Sequence, residues 1–330
     1  MLSNRVSWPA LYFFPFAPAT RSRVRLHVPN GQPTMSQLYM QTNPPERTPV
    51  FDCHVHLYPD ALAPKAVSEL ARRFGNPPAF DGTVAGLTAD LARSGICGAL
   101  NLPVATRPDQ VASINAWAAS INRGPIRSLA TLHPDTPDIP GVLAAIQAAG
   151  FRGIKLHPEY QDFTLDDPRM RPVWIGCAER GLLVFLHAGG ERVFAPPYRT
   201  TPGALAELLV AHPCLTVVAA HLGGFQMWDE VEKTLIGRPI YLDLSHTLFW
   251  MPDEQLVRIV REHGSSRILF GTDAPWQSPD AVLRAFLRLP FTARQQRQIL
   301  WDNAAGLFGL TDPVRARDDA PANLQPRDPA

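Results

Sequence analysis

The sequence predicts a single α/β domain, a (β/α)8 barrel of the TIM type, from three observations. Short apolar runs alternate with amphipathic stretches, there are eight such runs, and most of them end on a histidine or an aspartate. Alternation of short buried strands with helices is typical of a parallel α/β sheet, and eight units close into a barrel of about 250 residues. The first run is not followed by the G-x-G-x-x-G pattern of an open dinucleotide-binding sheet.

The predicted strands are the apolar runs Val50–His56, Ile96–Pro103, Arg127–His133, Gly153–His157, Leu182–His187, Leu215–His221, Ile240–His246 and Arg267–Asp273. Stretches with helical periodicity lie between them: Gln110–Asn122, Gly141–Ala149, Met170–Glu179, Pro202–Val210, Trp228–Ile236 and Glu254–Glu262. The folded body is therefore predicted to span residues 50–310.

Both ends of the chain are predicted to be disordered tails, residues 1–49 and 311–330. They are rich in Pro, Arg, Asn and Asp and lack apolar periodicity. An apolar stretch near the N-terminus, residues 8–19, weakly imitates a signal peptide, but Pro9, Pro15 and Pro18 would interrupt its helix. We interpret the residues before Met35 or Met40 as a tail, which an over-long gene start would explain.

Charge and cysteine content favour a cytoplasmic protein that acts on small molecules. Lys and Arg total 31 against 30 for Asp and Glu, and no basic run indicates a nucleic-acid or membrane partner. The four cysteines are scattered singly, so neither a zinc ribbon nor a disulfide framework is indicated. No apolar run reaches the roughly 18 residues of a membrane-spanning helix. We expect a small-molecule substrate, with a homo-oligomer left open.

Polar residues fall where barrel enzymes place their reactive groups. Six of the eight runs end on His, and the last ends on Asp273. The carboxyl ends of barrel strands meet at one mouth, so these side chains are expected to converge there. His54 and His56 alternate with Val55, which puts both imidazoles on one face roughly 7 Å apart along the strand. On this pattern, Cys53 and Val55 face the outer helices.

Two further strand ends complete a predicted metal site. His187 follows the uninterrupted apolar run 182–186, and Asp273 follows the run that begins at Ile268. Three neutral imidazoles and one carboxylate suit zinc, and they also suit manganese, iron or cobalt. We therefore expect one divalent ion at this mouth.

The same residues resemble a known family, the amidohydrolase superfamily, in its amidohydrolase-related (amidohydrolase 2) branch. The resemblance covers residues 50–310 and rests on four motifs and a final helix: residues 52–56 (DCHVH), His187, residues 220–224 (AHLGG), residues 271–273 (GTD) and residues 298–308 (QILWDNAAGLF). It implies a (β/α)8 barrel with His54, His56, His187 and Asp273 as metal ligands. It also implies that His221 is a general acid or base, or a residue that supports the ligands.

Two residues, His221 and Lys155, are each compatible with more than one role. His221 opens a Gly-Gly turn where backbone can approach a ligand, although a histidine that only caps its own strand is the plainer interpretation; its neighbours favour catalysis. Alternation turns Lys155 and His157 inward. Superfamily members with two metals use a carboxylated lysine as a bridge, so Lys155 leaves a second metal open, but it could also bind an anionic substrate. One metal is favoured.

Other strand ends and loops supply candidate substrate contacts. His133, His157 and His246 could each touch substrate or equally bond a neighbouring loop, and Trp276 could shape the pocket. The resulting hypothesis is hydrolysis of an ester, lactone or amide by metal-activated water, with Asp273 accepting a proton and His221 stabilising the oxyanion or shuttling a proton. Two alternatives stay open: a non-oxidative decarboxylase, with Lys155 and Arg192 holding a carboxylate, and a catalytically inactive ligand-binding barrel.

Overall fold

The computed structural model describes residues 48–75 and 77–312. The predicted disordered tails, residues 1–49 and 311–330, lie outside the described residues except for two residues at the inner end of each. The strands are β1 Phe51–Val55, β2 Gly98–Asn101, β3 Ile126–Ser128, β4 Ala130–Thr131, β5 Gly153–Leu156, β6 Leu183–Leu186, β7 Val217–Ala219, β8 Tyr241–Asp243 and β9 Ile268–Leu269.

Helices fill the connections between these strands. Their bounds are α1 Ala63–Phe74, α2 Val84–Ser94, α3 Val111–Ile121, α4 Ile139–Ala148, α5 Pro158–Gln161, α6 Arg171–Arg180, α7 Pro202–Ala211, α8 Trp228–Thr234, α9 Asp253–His263, α10 Pro279–Leu287, α11 Ala293–Arg297 and α12 Asn303–Phe308, with a π-helical turn, Gln298–Asp302, between the last two. Within the described residues, none of them combines the length and apolar character that a bilayer span requires.

The strands pair in parallel and in chain order, as a barrel requires. One sheet has the order β1-β2-β3 and the other runs from β4 to β9. Only Leu129 separates β3 from β4, and its N–H donates to the carbonyl of Asn101 at 3.1 Å. The predicted third strand is thus two short pieces of one run, and the predicted α/β barrel is confirmed, with strand positions accurate to within a few residues.

Backbone hydrogen bonds also join the first strand region to the last. The Cys53 N–H donates to Phe270 O at 2.8 Å, Asp273 N–H to His54 O at 2.8 Å, and His56 N–H to Ala274 O at 2.7 Å. His54 and Asp273 lie 219 positions apart in the chain. These bonds place them side by side. The mouth of the barrel is therefore continuous across the two ends of the strand order.

A buried carboxylate strengthens this junction. Asp52 is fully buried and accepts hydrogen bonds from His54 N at 3.1 Å, Thr272 N at 3.0 Å and Thr272 Oγ1 at 2.5 Å. All three donors lie beside predicted metal ligands, so Asp52 fixes the backbone that carries them.

Removing that carboxylate should destabilise the fold. Asp52→Ala leaves three donors unpaired, two of them on Thr272, and each buried unpaired group costs about 1–3 kcal/mol. We expect the free energy of unfolding in urea to fall by roughly 3 kcal/mol or more. Asp60→Ala, a change at an exposed aspartate of the same β1–α1 connection, is the control and should leave it nearly unchanged. Equal stability of the two variants would contradict a structural role for Asp52.

Apolar side chains form two layers, one on each face of the strands. The outer layer, between strands and helices, includes Val55, Ile154 and Leu156. The inner layer fills the barrel and includes Phe51, Cys53, Leu100, Leu129, Leu183, Phe185, Val218 and Leu269, with Trp301, Ala304 and Phe308 of the C-terminal helical segment. Because side chains alternate in direction along a strand, those of each strand are divided between the two layers.

The predicted outward orientation of Cys53 is wrong. Cys53 packs in the inner layer, whereas Val55 packs in the outer layer as predicted. The reason is a register shift between Asp52 and Val55, where β1 gains one residue relative to β2. Such a bulge re-aims the side chains that follow it, and it lets Cys53 fill the barrel while His54 and His56 still reach the mouth.

Candidate active site

A cavity of about 420 Å³ opens at the carboxyl ends of the strands. Most of the residues predicted for the site line it: His54, His56, Lys155, His157, His187, His221, His246, Asp273 and Trp276. His133 is the exception. It is buried beside its own loop, where its Nδ1 accepts a hydrogen bond from the Asp135 N–H at 3.2 Å.

Three of the predicted ligands converge on one point. Oδ1 of Asp273 lies 3.2 Å from Nε2 of His54 and 2.9 Å from Nε2 of His56. The other ring nitrogen of each histidine is engaged: Nδ1 of His54 donates to Asp243 Oδ2 at 2.7 Å, and Nδ1 of His56 donates to Leu102 O at 3.0 Å. These bonds select the tautomer that directs an Nε2 lone pair at Asp273.

This arrangement fits a divalent cation. Oδ1 of Asp273 is buried and accepts no hydrogen bond from any described residue. Two imidazole lone pairs that face a carboxylate oxygen repel it unless a proton or a cation lies between them. Two imidazole nitrogens and a carboxylate oxygen are a donor set that zinc, manganese and iron accept. The donor set therefore passes the chemical test for a metal site.

The charge state of Asp273 suits ligation. Burial opposes ionisation of this carboxyl, but its attraction to the neighbouring His54 and His246 side chains and the hydrogen bond from His246 hold its pKa well below the usual range. Nδ1 of His246 lies 2.6 Å from the second oxygen, Oδ2. Asp273 is thus an anion with one oxygen fixed by His246 and the other directed at His54 and His56.

Left-handed backbone recurs at the mouth. Asp273, His221 and His246 have φ angles of 64°, 57° and 50°. Non-glycine residues rarely adopt this region, although Asp, Asn and His are enriched there, and such strain clusters at functional sites. Each of the three follows a strand of the barrel and turns its side chain into the cavity.

His187 lies in the same cavity but outside the group of three. Its ring stacks on His157 with centroids 4.0 Å apart and an interplanar angle of 11°. Its Nδ1 lies 3.2 Å from Nε2 of His221, and its Nε2 lies 3.2 Å from the carbonyl of Gly190. His187, His157 and Glu191 each have a possible ligand atom, and these three atoms all lie within 4.8 Å of one another. Its role as a ligand of the first set stays a prediction.

His221 is held by a buried polar network. Its Nδ1 lies 2.9 Å from Ser245 Oγ, and its backbone N–H donates to Asp243 Oδ1 at 3.0 Å. Burial and the neighbouring His187 hold the pKa of His221 well below its usual value, so the imidazole is neutral. A neutral, oriented imidazole beside the candidate ligands is suited to proton transfer.

Sequence reasoning missed Asp243, which ends β8 and is fully buried. Besides His54 and His221 it accepts a hydrogen bond from Ser245 N–H at 2.8 Å. Burial would raise the pKa of Asp243, but the charge and hydrogen bond of His54 outweigh it and lower the pKa to about 2. The only signal for Asp243 in the sequence was the presence of a carboxylate within an apolar run. Its partner His54 lies 189 residues away in the chain.

Asp243→Asn should weaken metal binding without removing a candidate ligand. The amide cannot hold His54 in the required tautomer as firmly, and loss of such a supporting carboxylate typically costs about 10- to 100-fold in metal affinity. Equilibrium dialysis against zinc and manganese measures this. Asp253→Asn, at the exposed start of α9, is the control. Unchanged affinity would show that Asp243 supports the fold alone.

Glu191 was also missed. Its Oε2 lies 3.5 Å from Nε2 of His157 and 3.9 Å from Nε2 of His187. Burial, together with the negative charge of Asp273, raises the pKa of Glu191 to about 7. The signal was its position directly after the Gly189-Gly190 turn that follows β6, a loop that barrel enzymes use for function.

The remaining predicted contacts surround these groups. Lys155 is almost fully buried, with its Nζ 4.8 Å from the centroid of the Phe185 ring, and burial lowers its pKa to about 8. The guanidinium of Arg192 lies over the Trp250 ring at 5.4 Å. The Trp276 and Phe74 rings meet edge to face, with centroids 5.0 Å apart. The cavity thus has cationic as well as aromatic walls.

Several solved structures share this fold. The Sphingomonas paucimobilis 5-carboxyvanillate decarboxylase is 16% identical, covers 80% of this chain and 100% of its own, and has a TM-score of 0.63. The Novosphingobium aromaticivorans 5-carboxyvanillate decarboxylase, complexed with manganese and 4-hydroxy-3-methoxy-5-nitrobenzoic acid, is 14% identical, with coverage of 79% and 96% and a TM-score of 0.61.

A third similar structure is a Pseudomonas putida protein described as a candidate 2-pyrone-4,6-dicarboxylic acid hydrolase. It is 19% identical, with coverage of 80% and 98% and a TM-score of 0.54. No curated protein sequence gave a significant match. The family model described as amidohydrolase matches residues 51–310, which include every residue of the candidate site. The chain therefore belongs to the amidohydrolase family.

Proposed function

We propose that this family member is a metal-dependent hydrolase that acts on an ester, lactone or amide bond of a small molecule. His54, His56 and Asp273 would hold the cation, with His187 as a fourth ligand from the neighbouring wall. A divalent cation bound there would polarise a substrate carbonyl and lower the pKa of water to roughly 7. The cavity opens at the carboxyl ends of the strands and gives the substrate access to these groups.

The protein groups around the ligands support hydrolysis in particular. Attack by water needs one group that accepts a proton from the water and another that donates a proton to the leaving group. Asp273 is an anion suited to the first role, and the neutral His221 can relay the proton or hydrogen-bond the developing oxyanion. Glu191 also lines the cavity, beside His157 and His187. The presence of Asp273, His221 and Glu191, three groups able to transfer protons, in the lining of one cavity is the observation that carries the proposal.

The donor set supports zinc first and manganese, iron or cobalt as alternatives. The manganese in the similar 5-carboxyvanillate decarboxylase favours including that ion in any reconstitution. One ion per chain remains the proposal, because Lys155 is engaged over Phe185 and the one-metal arrangement does not need it. A cytoplasmic location fits the four cysteines, all free.

Non-oxidative decarboxylation is the second candidate. Two cationic side chains, Lys155 and Arg192, line the cavity and could hold a substrate carboxylate, and aromatic rings stand beside them. Two of the similar structures are decarboxylases of an aromatic acid. An inactive ligand-binding barrel is the third alternative. The preserved convergence of His54, His56 and Asp273 disfavours it, because a binding protein has no physical need for it.

Isotopic labelling separates the three alternatives. Metal-reconstituted protein is incubated with a panel of esters, lactones, amides and aromatic acids in oxygen-labelled water and, separately, in deuterium oxide. Hydrolysis places a solvent oxygen in the acid product. Decarboxylation releases carbon dioxide and places solvent deuterium on carbon. We expect oxygen incorporation that disappears in Asp273→Asn; carbon dioxide release without it would replace the proposal by the second candidate.

A further inference from the structure

The walls of the cavity differ in chemistry according to the strand that they follow. Imidazole and charged groups come from the ends of β5 to β9 and from His54 and His56. The opposite side follows β1 and β2, and Trp276 joins it because β9 adjoins β1. We call this side the apolar wall and define it as Leu57, Leu70, Phe74, Ile114, Trp117 and Trp276.

The apolar wall offers a ligand almost no polar partner. Apart from His56, no charged or imidazole side chain from the connections that follow β1 and β2 lines the cavity within the described residues. Two hydroxyls there are already engaged in their own turn: Thr106 Oγ1 donates to Gln110 Oε1 at 3.1 Å, and Ser113 Oγ donates to Gln110 O at 3.0 Å. The phenol of Tyr58 also lines the cavity, and burial raises its pKa, so it stays protonated.

The wall is built by packed elements rather than by a single loop. Leu70 and Phe74 lie one turn apart on α1, Ile114 and Trp117 lie one turn apart on α3, and Phe74 packs edge to face on Trp276. Residues at this spacing share one helix face, so both helices present apolar surface to the cavity. A ligand group that covers this surface removes apolar area from water on both sides.

We propose that the substrate carries an uncharged apolar group, aromatic or branched aliphatic, that lies against the apolar wall while its reacting carbonyl lies at His54, His56 and Asp273. The identity of the reacting end rests on the proposed function; the apolar wall does not. A charged far end would lose its hydration without gaining a partner and is therefore rejected. The substrate class is thus an acid derivative with a single polar end.

The test uses a ketone that can undergo neither hydrolysis nor decarboxylation. Acetylnaphthalene presents one carbonyl and one apolar ring system, and its ring-sulfonated derivative adds a negative charge at the far end. Isothermal titration calorimetry with the metal-loaded full chain gives both affinities. We expect the uncharged ketone to bind at least about tenfold more tightly than the sulfonate, because the sulfonate would be desolvated without a partner.

A matched pair of variants on α3 assigns the binding to the wall. Ile114→Asp places a charge on the apolar wall, and Ala116→Asp places the same charge on the exposed face of the same helix. Ile114→Asp should weaken ketone binding by at least about tenfold with unchanged metal content, and Ala116→Asp should leave both unchanged. If Ile114→Asp does not fold, Ile114→Asn serves in its place.

The outcomes are separable from those of the proposed function. Equal binding of the ketone and the sulfonate, no binding of the ketone, or equal effects of the two α3 variants would overturn the inference. Selective ketone binding by a protein that holds no metal and turns over no ester would uphold it and refute the proposed function. Turnover of esters with no preference for apolar groups would uphold the proposed function and overturn the inference.

Discussion

Asp273→Asn is expected to abolish turnover and to release the metal. Asn keeps the shape of the side chain and tolerates the left-handed backbone, φ 64°, so the fold should survive. The substitution removes the anion that His54, His56 and His246 all face. Loss of a supporting group typically costs about 10- to 100-fold in metal affinity, so loss of a direct anionic ligand should exceed that range. Metal analysis after dialysis, together with steady-state kinetics, measures both effects.

The control for this experiment is Asp280→Asn, a change at an exposed carboxylate that pairs with Arg284 on α10. It removes the same charge from the chain at a site remote from the cavity. Its metal content and turnover should match those of the unmodified protein. An Asp273→Asn protein that retains its metal and its rate would remove the aspartate from the site altogether.

His221→Asn is expected to keep the metal and lose turnover by roughly a hundredfold or more, the usual scale for a positioned proton-transfer group. His221 also has left-handed backbone, φ 57°, which Asn adopts more readily than most residues, so lost activity would not report a strained turn. Its imidazole lies 2.9 Å from Ser245 Oγ and 3.2 Å from a ring nitrogen of His187, and it stacks on the His54 ring with centroids 5.3 Å apart.

His212→Asn, at the end of α7 and outside the cavity, is the matched control and should behave like the unmodified protein. Loss of metal from His221→Asn would make His221 a ligand and would favour a two-metal site that includes Lys155. Full metal content with full activity would instead return His221 to a structural role at the end of its strand.

Local pattern was sufficient to predict the strands and most of the residues that line the cavity, because both follow from periodicity over short stretches of the chain. Apolar runs that end on His or Asp predicted where the barrel mouth would lie, and His54, His56, His221 and Asp273 meet there. The inward orientation of Lys155 followed from alternation alone. These features need no information about which strand pairs with which.

The rest depends on contacts between distant segments. The bulge in β1 arises from its register against β2, so regular alternation assigned Cys53 to the wrong layer. Asp243 acquires its role only when β8 is brought beside β1, and Glu191 only when the loop after β6 folds back over His157. His133 satisfied the strand-end pattern equally well but bonds its own loop instead.

The position of a bound ion is the most direct test of a metal site formed by His54, His56 and Asp273. Crystals of the zinc- or manganese-loaded protein would locate the ion by its anomalous scattering. We predict one ion per chain at about 2.0–2.2 Å from Nε2 of both histidines and from Oδ1 of Asp273. An ion held only by His157, His187 and Glu191, or no ion at all in saturating metal, would contradict the account.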